Sequence, residues 1–166
     1  MKKWKSEKFY LNIIGGYEES YYNLLMAKLT EYDLNSNVAF HGRLEFNNIY
    51  EYLRNSNFFI FPSKEKREGQ SNSLTEAMGC GVVPIVSDVG FNRSIVNNDD
   101  LVIAEFNSKK YARKIKNIWS SGLWPALSED VYNRVLLNFT ESKVSERLLE
   151  AYSNIDVRES HFKIDN

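Results

Sequence analysis

The chain has 166 residues, of which 43% are hydrophobic and 26% are charged. This length and composition predict a single folded domain over residues 1–166 and exclude a disordered chain. The formal net charge is −1, so there is no basic excess that would indicate nucleic acid as a partner.

The sequence also bears on where the protein is located. It contains one cysteine, Cys80, which has no second cysteine to pair with, so a reducing cytoplasm is expected. No apolar run approaches the roughly 18 residues that a membrane-spanning helix needs. The basic residues within 1–5 favour an additional peripheral contact at the inner face of a membrane.

Strands and helices alternate along the first half of the chain. Residues 9–14 predict a strand that ends at Gly15 and Gly16, and residues 18–31 have the apolar spacing of a helix. The next predicted elements are a strand at 37–40, a helix at 49–54 and a buried strand at 57–61 that Pro62 stops.

The second half continues the alternation. A polar stretch that starts at Glu68 leads into a two-turn helix, and Gly122 and Pro125 separate later helices. Continuous apolar strands between helices predict an α/β fold with a parallel sheet covered on both faces. The later elements are strands at 82–86 and 101–103, a helix around 111–119, two C-terminal helices at about 128–154, and a polar tail at 158–166.

Parallel sheets of this kind bind ligands beyond the carboxyl ends of their strands. Four loops are predicted to meet at that edge, and the functional residues are expected there. These loops are residues 15–17, 41–44, 63–73 and 87–93.

The most informative segment runs from Glu68 to Glu76 and feeds a helix N-terminus. Such a terminus presents unpaired N–H groups and the positive end of the helix dipole, so it favours an anion. Two carboxylates flank the segment, and carboxylates accept hydrogen bonds from hydroxyl groups. A phosphate with hydroxyl-rich groups on either side, as in a nucleotide sugar, would satisfy both features.

Simpler interpretations of the same residues remain open. Ser73-x-x-Glu76 also fits a capping box, in which Glu76 only closes the helix start. Glu68 also fits a solvated charge in the polar run 64–68. Cys80 lies between two glycines and favours a structural role, and His41 has no neighbours at metal-ligand spacing. No metal site is predicted.

The segment from Glu68 to Pro84 resembles a family signature, an E-x7-E motif followed by E-A-M-x-x-G-x-x-P. The family is that of the GT-B glycosyltransferases of family 4, or "group 1", and the resemblance covers roughly residues 9–153. It implies the C-terminal, donor-binding half of such an enzyme, with a Rossmann-like sheet. Weaker matches support it at 13–16, 38–42, 61–63, 87–90 and 138–149.

The resemblance gives each matching residue a role. Glu68 would contact hydroxyls of the transferred sugar at the catalytic centre, and Glu76 would accept hydrogen bonds from the ribose. Gly15 and Gly16 would let the backbone pass close to the nucleotide. The other implied donor-binding residues hold the diphosphate through main-chain N–H groups, namely Gly69, Gln70, Ser71, Asn72 and Ser73, or line the base pocket, namely Gly42, Arg43 and Leu44.

The implied reaction is retaining transfer of a hexose from UDP or GDP to a glycan or lipid-linked acceptor, as in polysaccharide biosynthesis, with no cofactor. The family's first strand, with its G-R-x-x-x-x-K-G-like segment, and its N-terminal acceptor domain are expected to be missing. That domain would act in cis or in trans, and the isolated chain would be inactive. The alternative is a non-catalytic nucleotide-binding or protein-interaction module. A dinucleotide-dependent oxidoreductase is disfavoured, since residues 15–20 lack the G-x-G-x-x-G spacing.

Overall fold

The computed structural model describes residues 9–64 and 69–156. The chain divides into two compact units, one ending at Asn55 and the other beginning at Ser56. The single domain over 1–166 stays a prediction. The predicted polar tail at 158–166 and the basic residues at 1–5 lie outside the described residues.

The first unit pairs two parallel strands, with Leu11 opposite Val38 and Ile13 opposite Phe40. A ring cluster packs its first helix against the second strand, because Tyr22 meets Phe40 edge to face at 4.9 Å between ring centres. The elements are β1 (Leu11–Ile14), α1 (Glu19–Glu31), a short 3₁₀ helix (Asn35–Asn37), β2 (Val38–Gly42) and α2 (Phe46–Arg54).

The second unit contains three parallel strands in the order β3-β4-β5. Five helices belong to it, together with a short 3₁₀ helix at Asp99–Leu101. The elements are β3 (Phe58–Phe61), α3 (Asn72–Gly79), β4 (Val83–Ser87), α4 (Asn92–Val96), β5 (Val102–Ile103), α5 (Ser108–Ser120), α6 (Trp124–Asn138) and α7 (Glu141–Asp156).

The core of this unit is centred on β4, whose five residues are all buried. Leu74 and Met78 of α3, Ile118 of α5 and Val131 of α6 pack in the same cluster. A strand that is apolar along its whole length is buried on both faces, because helices cover both sides of a parallel sheet. The predicted α/β fold with a helix-covered parallel sheet is therefore confirmed.

Several element boundaries differ from the prediction. Residues 41 and 42, predicted as the start of a loop, are the last two residues of β2, and α2 begins at Phe46, before the predicted start at 49. Two further differences have identifiable reasons. Residues 87–93 were predicted as a loop, but α4 starts within them at Asn92; its five residues are too few to show a helical period. Pro125 was predicted only to break a helix, but it lies in the first turn of α6. Proline is tolerated there because the first N–H groups of a helix have no intrahelical acceptor.

In residues 9–64 and 69–156, none of the helices is both long enough and apolar enough to cross a bilayer.

Candidate functional site

The N-terminus of α3 lies just beyond the carboxyl end of β3 and is held by a buried cap. Ser71 is the N-cap residue, only 8% exposed, and its hydroxyl oxygen accepts a hydrogen bond from the Leu74 N–H at 3.4 Å. The Ser73 hydroxyl lies 3.0 Å from the same oxygen. Because the cap side chain is buried and fixed, the start of α3 has a defined position and direction.

The first N–H groups of α3 remain available to a ligand. Within residues 9–64 and 69–156, no group accepts a hydrogen bond from the N–H of Asn72 or of Ser73. Both residues are exposed, while Leu74, Ala77 and Met78 form the buried face. This end of α3 therefore has the unpaired donors and the positive dipole end of an anion site.

Glu76 lies one turn beyond Asn72 and Ser73, so its carboxylate projects from the same side of α3. The residue is half-buried, and its carboxylate forms no ion pair or hydrogen bond with any other described residue. A half-buried carboxylate without a protein partner keeps its acceptor oxygens for hydroxyl groups of a ligand.

The capping-box interpretation of Ser73 and Glu76 is wrong. The pattern requires Ser73 as the N-cap, but the observed cap is Ser71, two residues earlier, and the helix already begins at Asn72. Glu76 is therefore too far into the helix to reach back to the N-cap N–H. Glu68, the predicted catalytic residue, lies outside the described residues.

The loop after β4 is tied to the same edge of the sheet. The Ser87 hydroxyl donates to the carbonyl of Ser63 at 2.6 Å, and the Asn92 amide donates to the carbonyl of Ser87 at 3.2 Å. Arg93 makes a bidentate pair with Asp88, at 3.0 and 2.8 Å, and also pairs with Asp99. Hydrogen bonding from Arg93 holds the pKa of Asp88 below its ordinary value.

In the first unit, two predicted glycines lie together at the carboxyl ends of β1 and β2. The Gly15 N–H donates to the carbonyl of Gly42 at 2.7 Å. Their φ angles are +131° and +65°, and an added Cβ at either position would meet nothing within 4 Å. Glycine is favoured at both positions by backbone conformation and not by crowding.

Gly16 is close to a side chain instead, since a Cβ there would come within 3.1 Å of the Arg43 Nε, a contact that the exposed side chain of Arg43 could relieve by a small shift. The side chain of Arg43 therefore packs over Gly16. Arg43 is exposed and pairs with no carboxylate among the described residues, whereas Leu44 is half-buried. These predicted residues come together within their own unit, and those at the start of α3 come together within the other.

His41 lies between two polar side chains of the first unit. Its Nε2 lies 2.8 Å from the Asn12 side-chain oxygen, and its Nδ1 lies 3.1 Å from the Tyr52 hydroxyl. A neutral ring that donates from Nε2 and accepts at Nδ1 satisfies both contacts. Across residues 9–64 and 69–156, no three metal-ligating side chains cluster.

Tyr17 follows the two glycines after β1, within the predicted loop 15–17. Its ring is 50% exposed and stacks on Tyr22 with 4.8 Å between ring centres. This contact holds the loop against the start of α1.

Both units have parallel strands and helices, and in the second unit the first N–H groups of α3 have no acceptor among the described residues. The family model described as "Glycosyl transferases group 1" matches residues 1–134. The chain therefore belongs to the group 1 glycosyl transferases. No curated protein sequence matched it significantly.

Solved structures share the fold. Sucrose-phosphate synthase from Thermosynechococcus elongatus is 21% identical, with a TM-score of 0.73 over 88% of this chain and 38% of that chain. A glycosyltransferase from Rickettsia africae is 20% identical, with a TM-score of 0.75 over 92% and 41%, respectively. This chain thus spans about two fifths of the length of those two proteins.

A third structure has a similar extent to this chain. The C-terminal domain of a group 1 family glycosyl transferase from Francisella tularensis is 17% identical, with a TM-score of 0.69. The match covers 84% of this chain and 92% of that domain. The fold is therefore that of a GT-B C-terminal domain.

Proposed function

We propose that this chain is the donor-binding domain of a retaining hexosyltransferase, which moves a sugar from a nucleoside diphosphate to a glycan or lipid-linked acceptor. The observation that carries this proposal is the start of α3, where the N–H groups of Asn72 and Ser73 and, on the same helix side, the Glu76 carboxylate have no partner among the described residues. Membership of the group 1 glycosyl transferases supports it.

In this proposal, the main-chain N–H groups from Gly69 to Ser73 hold the donor diphosphate. Donors that are fixed before the reaction stabilise the charge that develops on the leaving diphosphate without having to reorganise. The buried Ser71 cap provides that rigidity at the start of α3. The assignment of Glu68 to the transferred sugar stays a prediction from the family resemblance.

The proposed role of Glu76 is to accept two hydrogen bonds from the ribose hydroxyls. The carboxylate has two oxygens and no described protein partner, which suits two neighbouring hydroxyl donors. Gly15, Gly16 and the segment from Gly42 to Leu44 are proposed to surround the base, with uridine or guanosine diphosphate as the nucleotide.

Calorimetric titration of the chain with UDP, GDP, ADP and their sugar conjugates tests this proposal. We expect one nucleotide to bind selectively and Glu76→Ala to abolish its binding. Glu129→Ala is the matched control, because Glu129 is exposed on α6 and removes the same charge elsewhere. Unchanged affinity in Glu76→Ala would contradict the ribose role, and no binding by any nucleotide would contradict a complete donor site in this chain.

A second candidate is a non-catalytic module that binds a partner half, and α7 favours it. One side of this helix carries exposed apolar side chains, with Leu148 52% and Tyr152 67% exposed. In this candidate the exposed apolar side of α7 contacts an acceptor-binding half in cis or in trans. The chain alone neither hydrolyses nor transfers a donor sugar. Detectable transfer by the isolated chain would contradict it.

The proposal also includes a cytoplasmic location with peripheral contact at the inner face of the membrane. A reducing compartment fits the single cysteine, Cys80, and a lipid-linked acceptor would lie at that face. Co-sedimentation with anionic vesicles tests the contact. A protein that stays in the supernatant at low ionic strength would contradict it.

A further inference from the structure

A cleft of about 280 Å³ opens between α4, α6 and α7, on the surface of the second unit. Its size is at the lower end of small-molecule pockets and suits a group no larger than a monosaccharide. The residues that give it chemical character are Gln70, Phe91, Arg134, Asn138, Phe139 and Arg147.

Arg134 is fixed on one wall of this cleft. Its Nε and Nη2 donate to the carbonyls of Ile95 and Ser94, at 3.3 and 3.0 Å, respectively. Its guanidinium carbon lies 5.5 Å from the centre of the Phe139 ring. A guanidinium has five N–H donors, so these two bonds fix its position and leave N–H groups for a ligand.

Arg147 brings a second guanidinium to the same cleft from α7. Its Nε donates to the carbonyl of Lys143 at 3.2 Å. The adjacent acid, Glu146, pairs with Lys143 at 2.7 Å. Neither Arg134 nor Arg147 pairs with a carboxylate anywhere in residues 9–64 and 69–156. Two guanidinium groups without an acid favour an oxyanion, which each can bind through paired N–H groups.

The remaining walls favour a body larger than a bare ion. Phe91 is 62% exposed, and its ring and that of Phe139 line the cleft. The Asn138 amide donates to the Arg134 carbonyl at 2.9 Å, so its side-chain oxygen is available as an acceptor. Aromatic faces pack against the apolar faces of a sugar ring, and amide groups bind its hydroxyls.

We infer that this cleft is a second binding site, and that it takes a sugar-sized ligand carrying one phosphate or carboxylate group. The site does not include Glu76, Asn72 or Ser73, but Gln70 lines it and also belongs to the proposed donor loop, so the two sites adjoin there. If the proposed function holds, the ligand is an anionic sugar of the acceptor.

Titration of the whole chain with four probes tests the inference, with binding followed by calorimetry and by the NMR signals of the arginine Nε–H groups. The probes are glucose 6-phosphate, glucuronate, inorganic phosphate and glucose. We expect the two anionic sugars to bind with Kd values of about 1 mM or below, and glucose not to bind. If inorganic phosphate binds as tightly as glucose 6-phosphate, the cleft does not recognise a sugar. If glucose binds as tightly as glucose 6-phosphate, the cleft does not recognise an anionic group.

Variants locate the binding site. Arg147→Gln removes an exposed charge and is expected to weaken glucose 6-phosphate binding at least about tenfold. Arg113→Gln, an exposed arginine on α5 outside the cleft, is the control and is expected to leave affinity within about twofold. Equal loss in both variants, or none in Arg147→Gln, would overturn the inference.

The Glu76→Ala variant separates this site from the proposed donor site. We expect it to lose nucleotide binding and keep glucose 6-phosphate binding. If no nucleotide binds but glucose 6-phosphate does, the result contradicts the proposed function and supports the second binding site. Loss of glucose 6-phosphate binding in Glu76→Ala would show that the sugar phosphate binds at α3, which would overturn the second site.

Discussion

The hydroxyl of Ser87 donates a hydrogen bond to the carbonyl of Ser63 at 2.6 Å, which joins the ends of two neighbouring parallel strands. Ser87 is the last residue of β4 and only 4% exposed, while Ser63 begins the loop that leads towards α3. The loop between β3 and α3 is therefore anchored at both of its ends. The Ser87 hydroxyl holds Ser63 near its start, and the Ser71 cap holds its end at α3.

Replacement of Ser87 by Ala is expected to lower the free energy of unfolding by about 1 kcal/mol, because a buried hydrogen bond is lost. It should also weaken nucleotide binding, since the loop between β3 and α3 loses one anchor. Urea unfolding and calorimetry measure the two effects. Ser120→Ala, at an exposed position on α5, is the control, and equal effects in both variants would contradict an anchoring role for Ser87.

The start of α3 can be tested by a substitution that separates stability from binding. Asn72→Asp places a carboxylate in the first turn of α3, where it interacts favourably with the helix dipole. We therefore expect unchanged or slightly higher stability in thermal unfolding. Nucleotide affinity should fall at least about tenfold, because the carboxylate repels the diphosphate and competes for the free N–H groups.

The control for that test is Asn133→Asp, which adds the same charge at an exposed position on α6. It should leave nucleotide affinity almost unchanged, since exposed charges are screened over about 10 Å. A similar loss in both variants would attribute the effect to net charge. Unchanged nucleotide affinity in Asn72→Asp would contradict binding of the diphosphate at the start of α3.

Two glycine substitutions should differ in their effect on stability. Gly42→Ala is expected to destabilise the protein by about 1 kcal/mol, because φ is +65° at this position. Gly69→Ala should leave stability almost unchanged, since its φ is not positive and nothing lies within 4 Å of an added Cβ. It should nevertheless weaken nucleotide binding if the ligand approaches the Gly69 backbone. Full affinity in Gly69→Ala would contradict that approach.

The fold could be predicted from sequence because its strands and longer helices carry strong apolar patterns. The run at 82–86 predicted the central strand, which is buried throughout as β4. The five residues of α4 are too few to carry such a pattern, whereas β5, although only two residues long, lies within the apolar run that predicted a strand at 101–103. Pro125 correctly predicted a helix boundary. It did not predict that a helix starts there, because proline occurs both in the first turn of a helix and beyond the end of one.

The candidate site was predictable only where a local motif was present. The segment from Glu68 to Glu76 indicated the helix start, but its cap could not be assigned from spacing, since Ser71 and Ser73 both precede the apolar face. The cleft with Arg134 and Arg147 was not predictable. Its residues come from distant positions, and only tertiary packing brings them to Gln70.

The pair between Arg93 and Asp88 predicts a pH-dependent contribution to stability. Hydrogen bonding from Arg93 lowers the pKa of Asp88 in the folded protein, so the folded state holds the proton less tightly than the unfolded state. The contribution is therefore present above the ordinary aspartate pKa of about 3.9, and it is lost as the pH falls through the lower folded pKa. Asp88→Asn should reduce stability at about pH 7 and have little effect at about pH 2.

Urea unfolding of the wild type and of Asp88→Asn at both pH values measures this difference. The pair is largely exposed, with 45% of the Arg93 side chain accessible, so the effect at neutral pH should also shrink in high salt. Asp130→Asn is the control, because Asp130 is exposed on α6 and pairs with no cation among the described residues. A difference between wild type and Asp88→Asn that is the same at both pH values would show that the substitution acts through packing, and not through the charge that orients the loop after β4.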